Sequence, residues 1–208
     1  MGCILSFDIG TTGLKTIIVN ESGEILRSYN IEYGMIRERD GYAEQDPLVW
    51  WEAVLKGIRA VIDDKTKYDI KAIGVSGQFQ SLVMLDEKNS PLRNAILWCD
   101  HRGEEMLSEI TDRVGEEELI RITANPALAG STVSSFLWVR KYEPHLFEKC
   151  RHIMLPHEYI RMKLTGEYAT DVTSASSMQL LHVPERAWSP EIFGKLRLDS
   201  SIVGHLCE

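Results

Sequence analysis

The stretch Phe7–Lys15, FDIGTTGLK, gathers a carboxylate, two glycines, two hydroxyls and a lysine at the end of an apolar run. Small residues let backbone N–H groups approach a ligand closely, and several such groups pointing inward form an anion-binding nest. Thr11 and Thr12 add hydroxyl donors, and Lys15 adds a positive charge. Asp8, ending the apolar run, reads as a buried carboxylate that would repel a bare phosphate. It becomes useful when a hard divalent ion such as Mg²⁺ lies between the two, held through oxygen ligands and water. The set therefore suits a metal–phosphate complex such as Mg·ATP. The same residues equally suit a type I′ hairpin in which Gly10 and Gly13 serve backbone geometry alone. The stretch is neither the GxxxxGK[ST] loop nor the GxGxxG loop of other nucleotide sites.

Other residue groups with chemical potential are sparser. Cys3, Cys99, Cys150 and Cys207 are scattered with no CxxC pair, which argues for reduced thiols and against a disulfide framework or structural zinc. His157-Glu158 begins like HExxH, but Arg161 stands where the second histidine belongs. Gln78-Phe79-Gln80 interrupts two apolar runs, and the run NAILWCD ends in a second carboxylate, Asp100.

These groups need elements to hold them. Cys3–Asp8, Leu14–Asn20 and Ile25–Tyr33 read as strands, with ESGE as a hairpin turn, giving an antiparallel meander. After the polar segment RERDGYAEQDP a helix is predicted, with Asp46 as N-cap and Pro47 in the first turn. Its apolar positions Leu48, Trp51, Val54, Leu55, Ile58 and Ile62 recur at helical spacing. Lys71–Ser76, Ser81–Leu85 and the NAILWCD run read as further strands. Helices are predicted over His101–Val114, Glu116–Ile122, Val133–Tyr142, Pro144–Lys149 and His157–Leu164. Strands first and helices later predict an α/β core with a helical elaboration.

The 208 residues suit one large domain or two small ones, with 44% hydrophobic and 26% charged residues as in ordinary globular chains. The net charge of −8 argues against nucleic acid or an anionic membrane as the main partner. No apolar run reaches the length of a membrane span, and MGCILSF lacks the features of a secretory signal. Ser6 fits a myristoylation pattern, but CILSFD reads as the first strand of a core. A cytoplasmic location is the expectation.

Several long blocks resemble a known family in their order along the chain. FDIGTTGLKTIIVNESGEIL resembles the first phosphate-binding hairpin of the actin/hexokinase-like ATPase superfamily. EQDPLVWWEAV, IKAIGVSGQFQSLVMLDEKNSPLRNAILWCDHR and LPHEYIRMKLTGEYATDVTSAS are similar to blocks of the FGGY carbohydrate kinases, above all those acting on xylulose. The resemblance implies two ribonuclease H-like lobes around a cleft, of which residues 1–208 make the N-terminal one, with a mixed sheet. It implies ATP and Mg²⁺ as cofactors, a small sugar as partner, and a homodimer of the whole protein. Carried over by position, Asp8 matches the metal-site carboxylate, and Gly10, Thr11, Thr12 and Lys15 match the phosphate hairpin. Gln78, Phe79 and Gln80 fall on the sugar loop. Asp100 and Arg102 match W-x-D-x-R, a salt-bridged wall of the sugar cleft or a purely structural ion pair. Asp171 is expected to cap a helix rather than touch ligand.

Three departures qualify the resemblance. Phe79-Gln80 stand where xylulose kinases usually carry Met-His, so the acceptor can instead be gluconate, glycerol, or another ketose or polyol. Ser135 replaces a lysine, while Trp138 is in place. The family's catalytic aspartate and second lobe are expected beyond Glu208, so no residue here is assigned as the base. An inactive sugar- or partner-binding module is the alternative reading.

Overall fold

The computed structural model describes residues 2–62 and 68–208. Its strands are β1 (Gly2–Ile9), β2 (Gly13–Asn20), β3 (Ile25–Glu32), β4 (Glu44–Gln45), β5 (Asp69–Gly77), β6 (Val83–Leu85), β7 (Ala95–Ile96), β8 (His152–Met154), β9 (Ala169–Asp171), β10 (Leu181–His182), β11 (Ala187–Trp188) and β12 (His205–Cys207). Its helices are α1 (Pro47–Val61), α2 (Leu107–Val114), α3 (Glu116–Thr123), α4 (Thr132–Tyr142), α5 (Pro144–Phe147), α6 (Pro156–Thr165), α7 (Val172–Ser177) and α8 (Pro190–Leu196).

The main sheet runs β3-β2-β1-β5. The first three strands form the expected antiparallel meander, and β5 joins β1 in parallel after the α1 crossover. In the β2–β3 turn the Asn20 side chain accepts from the amides of Ser22 and Glu24, while Gly23 takes a φ of 84° that few other residues tolerate. One sheet face, with Leu5, Phe7, Leu14 and Ile18, is buried in a core shared with Trp50, Val54, Tyr159 and Ile160. Ile4 and Asp8 alternate with that set and lie exposed on the other face.

Helix α1 starts as predicted: the Asp46 side chain accepts from the Leu48 amide, and Pro47 follows. Its buried face differs from the predicted one. Trp50, Ala53, Val54, Gly57 and Val61 are buried, while Leu48 and Ile62 are exposed. Small residues decide this. A Cβ at Gly57 would stand 2.2 Å from Thr16 Oγ1, so the stripe with Ala53 and Gly57 brings the axis nearest the sheet.

A second core gathers under the helical half, around Ile110, Leu119, Phe136, Leu180 and Phe193. The two cores share a wall built from β6, β7 and β8. Leu82, Met84, Ile96, Ile153 and Leu155 face the helical core. Val83, Leu85, Ala95, Leu97 and Met154 face the sheet core. Burial on both sides explains why these strands read as unbroken apolar runs rather than alternating ones. The strand runs are shorter than predicted: Ser81–Leu85 reduces to Val83–Leu85 and NAILWCD to Ala95–Ile96. The helix predicted from His101 opens instead as a 3₁₀ turn, Arg102–Met106, before α2.

Candidate functional site

The parallel pairing of β1 and β5 sets their C-terminal ends side by side, so the hairpin after Ile9 and the loop after Gly77 emerge together. The loop is pinned there by Gln78 N–H donating to the Ile9 carbonyl at 2.9 Å. Gly77 permits this approach, because a Cβ would meet the Ile9 carbonyl oxygen at 2.7 Å and His157 Cβ at 3.2 Å. A crevice beyond the carboxyl ends of parallel strands is a recurrent ligand position.

The hairpin is not a type I′ turn: Gly10, Thr11, Thr12 and Gly13 all have negative φ. Gly13 is required by contact instead, since a Cβ would lie 2.6 Å from the Ile31 carbonyl oxygen. The Gly10 carbonyl accepts from the Tyr33 hydroxyl at 2.8 Å, and Tyr33 N–H donates to the Thr12 carbonyl at 3.1 Å. Burial, and next the Asp8 charge, push the Tyr33 phenol up, so it remains a donor. Asp8 pairs in register with Lys15 on β2 and Ser76 on β5, and contrary to the sequence reading its carboxylate is exposed. Among the described residues no group of three or more His, Cys, Asp or Glu forms a metal cluster. A single exposed carboxylate such as Asp8 would suit Mg²⁺, which keeps waters and takes one or two carboxylates plus substrate phosphates.

In the second loop Ser81 N–H donates to the Phe79 carbonyl at 2.8 Å across Gln80, whose φ is 60°. This three-residue turn with positive φ is rare and strained, at a cost of about 1–3 kcal/mol. It leaves Phe79 47% exposed, while Gln78 is buried. Trp98, which the sequence reading did not single out, stands 48% exposed at the end of the wall. Its N–H groups are both anchored: the backbone N–H donates to Ser81 Oγ at 3.2 Å and Nε1–H to Thr11 Oγ1 at 3.1 Å. Thr11 in turn bonds Gln78 Oε1 at 3.4 Å. Beneath them Gln45 accepts from Trp50 Nε1 and Gln78 Nε2 and donates to the Thr11 and Gly34 carbonyls. The structure thus brings Asp8, Thr11, Lys15, Gln78, Phe79 and Gln80 together and adds Trp98 and Gln45.

Asp100 and Arg102, which follow Trp98 in the chain, are buried, and their charged atoms bond within the protein. The Asp100 carboxylate accepts from Arg102 Nε and Nη2 at 2.8 Å each, from the Arg102 amide, and from the Ala43 amide. Arg102 also pairs with Glu44 at 2.7 Å and lies over the Tyr42 ring, 3.8 Å from its centroid. Burial pulls the guanidinium down, and the Asp100 and Glu44 carboxylates outweigh it, leaving it above its ordinary value. Arg93 continues the chain, bonding both Glu44 and Glu143. A cavity of about 630 Å³ beside this chain is lined by these paired charges and by Trp138 and Tyr142. Ser135 is buried within α4.

Helix α6 supports the second loop from below. His157 packs edge-on against Phe79, with ring centroids 5.7 Å apart, and its Nε2 bonds Ser174 Oγ at 3.0 Å. Asp171 caps α7 through the Ser174 amide, as expected. Beside it, burial pushes Glu158 up to about 7, against partial relief from the Leu155 amide, the Thr170 hydroxyl and Arg161. The folded state therefore holds this proton more tightly than the unfolded chain. Its contribution is complete below the ordinary 4.5 and is lost as pH rises to about 7. His157, pulled down by burial, acts in the opposite sense below its ordinary 6.5. Comparing Glu158→Gln with the parent isolates the first effect. Between pH 5 and pH 7 the parent is expected to lose stability relative to the variant by about 1.4 kcal/mol per pH unit. Urea titrations at several pH values check this, and parallel curves for the two proteins would refute it.

Comparison with known proteins places the chain. Residues 3–208 match the FGGY family of carbohydrate kinases, N-terminal domain. Xylulose kinase of Staphylococcus xylosus is 35% identical over 97% of this chain. That of Lactococcus lactis subsp. lactis is 37% identical over all of it. The crystal structure of a xylulose kinase from Brucella ovis superposes with a TM-score of 0.91 at 31% identity, covering 98% of this chain and 43% of its own. The chain spans about 42% of the length of the two curated relatives. With the hairpin and the second loop juxtaposed on this sheet, and the match running almost end to end, the chain belongs to the FGGY family of carbohydrate kinases.

Proposed function

We propose that residues 1–208 act as the sugar-binding lobe of an ATP-dependent kinase that phosphorylates a hydroxyl of a small sugar such as xylulose. The observation that carries this is the bond from the phosphate hairpin to the second loop through Thr11 and Gln78. It brings an anion-binding turn and a polar, aromatic-flanked loop to one place. Asp8 would hold Mg²⁺ through water. The N–H groups of Thr11 and Thr12, which have no partner among the described residues, would face phosphate together with Lys15. When bound, Mg²⁺ neutralises phosphate charge, and the rest of catalysis is positioning. Phe79 and Trp98 offer apolar faces to a sugar ring, and Gln78 and Gln80 offer hydrogen bonds to its hydroxyls. Asp100 and Arg102 belong to this reading as the support of the loop that follows Trp98.

Turnover of ATP by the whole protein against a panel of ketoses, polyols and aldonates tests the proposal. Sugar binding without turnover would favour a binding module instead. Within the panel, changing Phe79-Gln80 to Met-His is expected to shift kcat/KM toward xylulose by about tenfold or more. A site built to hydrogen-bond a hydroxyl discriminates strongly because unmatched polar groups stay buried and unpaired. An unchanged substrate ranking would remove the loop as selector.

A further inference from the structure

We infer that the Thr11 hydroxyl is a two-position donor that couples sugar binding at the second loop to phosphate binding at the hairpin. The inference rests on the kinase reading above and assigns Thr11 a role in its regulation.

Indole N–H groups only donate, and there is one at each end of the network. Trp50 Nε1–H donates to Gln45 at 3.1 Å, so the atom facing it is the amide oxygen, Oε1. Gln45 Nε2 then faces the carbonyls of Thr11 and Gly34, at 2.8 and 3.1 Å. Because Gln45 Oε1 accepts from Gln78 at 3.4 Å, the Gln78 atom there is Nε2, and Gln78 Oε1 faces Thr11. At the other end Trp98 Nε1–H donates to Thr11 Oγ1, leaving the single Thr11 hydroxyl proton to point at Gln78 Oε1. The two indole donors fix the direction of the bonds they make, and the bonds between them follow in the same sense.

In this arrangement the Thr11 proton points toward Gln78 Oε1, across 3.4 Å, and away from an anion in the hairpin. Turning it to a phosphate oxygen would leave Gln78 Oε1 without a donor, and Gln78 is only 9% exposed. An unpaired buried acceptor carries a penalty equivalent to a factor of roughly 5–150 in binding. A sugar hydroxyl that donates to Gln78 Oε1 removes the penalty, and Thr11 can turn to phosphate while still accepting from Trp98. By reciprocity, phosphate at the hairpin then tightens sugar binding by the same factor.

The experiment measures xylulose affinity of the whole protein with and without Mg·AMP-PNP, beside sugar-dependent turnover. In the parent the nucleotide analogue is expected to tighten xylulose binding at least fivefold. In Thr11→Val, which keeps the shape and loses the proton, the ratio is expected to fall to about one. Thr11→Ser is expected to restore it, which a merely structural role for the side chain would not require. An unchanged ratio in Thr11→Val, or one lost equally in Thr11→Ser, overturns the coupling while leaving the kinase reading intact. A parent with no turnover on any sugar overturns both.

Discussion

In the whole protein, Asp8→Ala is expected to lower kcat by roughly a thousandfold or more while leaving the melting temperature and sugar affinity nearly unchanged. A metal ion contributes several kcal/mol of charge stabilisation to a transferring phosphoryl group, and each 1.36 kcal/mol is tenfold in rate. The fold should not notice the change. Asp8 is exposed on the uncovered sheet face and accepts no hydrogen bond from the described residues. Its strand neighbours Phe7 and Ile9 carry the packing on the opposite face. Steady-state kinetics with calorimetry on the same samples decide the matter. A variant with near-normal kcat would strip Asp8 of the metal role, and a variant that melts early would make it structural.

Arg102→Met should show the reverse pattern, with stability falling by about 3–5 kcal/mol. Removing one partner of a buried ion pair leaves the other charge uncompensated, and here two carboxylates, Asp100 and Glu44, lose their common cation. The Tyr42 ring loses its stacked guanidinium as well. Arg102→Lys should recover little, because an ammonium cannot reproduce the paired bonds from Nε and Nη2 to Asp100. Urea midpoints read the result directly. A loss under about 1 kcal/mol would mean that Asp100 finds other partners and that the pair is not what holds the loop after Trp98.

Local chemistry made the meander, the Asp46 cap and the Asp171 cap legible in the sequence, because each depends on residues a few positions apart. Which face of α1 turns inward depended on Gly57 meeting Thr16, a contact between elements that no helical periodicity records. Leu48 and Ile62 therefore read as core and stand exposed. Strand β8 was missed because three residues carry no period of their own, and their antiparallel pairing with β6, Val83 with Met154 and Leu85 with His152, joins residues far apart in the chain. At the site, residue types pointed to the hairpin and the family resemblance to the second loop, but neither pointed to their conformation. Nothing in GQFQS announces a positive φ at Gln80, since glutamine is not a residue that favours it. Trp98 was hidden within an apolar run, where exposure cannot be told from burial. Gln45 read as part of a polar segment and of the EQDPLVWWEAV block, and its importance comes from four partners brought together by folding.

The wall shared by the two cores bears on how the molecule opens to solvent. An amide exchanges its hydrogen only when the structure around it lets water in, and elements packed on one side can open with that side alone. Val83, Met84 and Leu85 have a core on each side, so neither half can release them without the other. Their amides should be the slowest to exchange and should report the global unfolding free energy. Ser81 and Trp98 sit at the ends of the runs that form this wall. Partial opening of the peripheral helices should therefore spare the Ser81–Trp98 bond and the loop it holds.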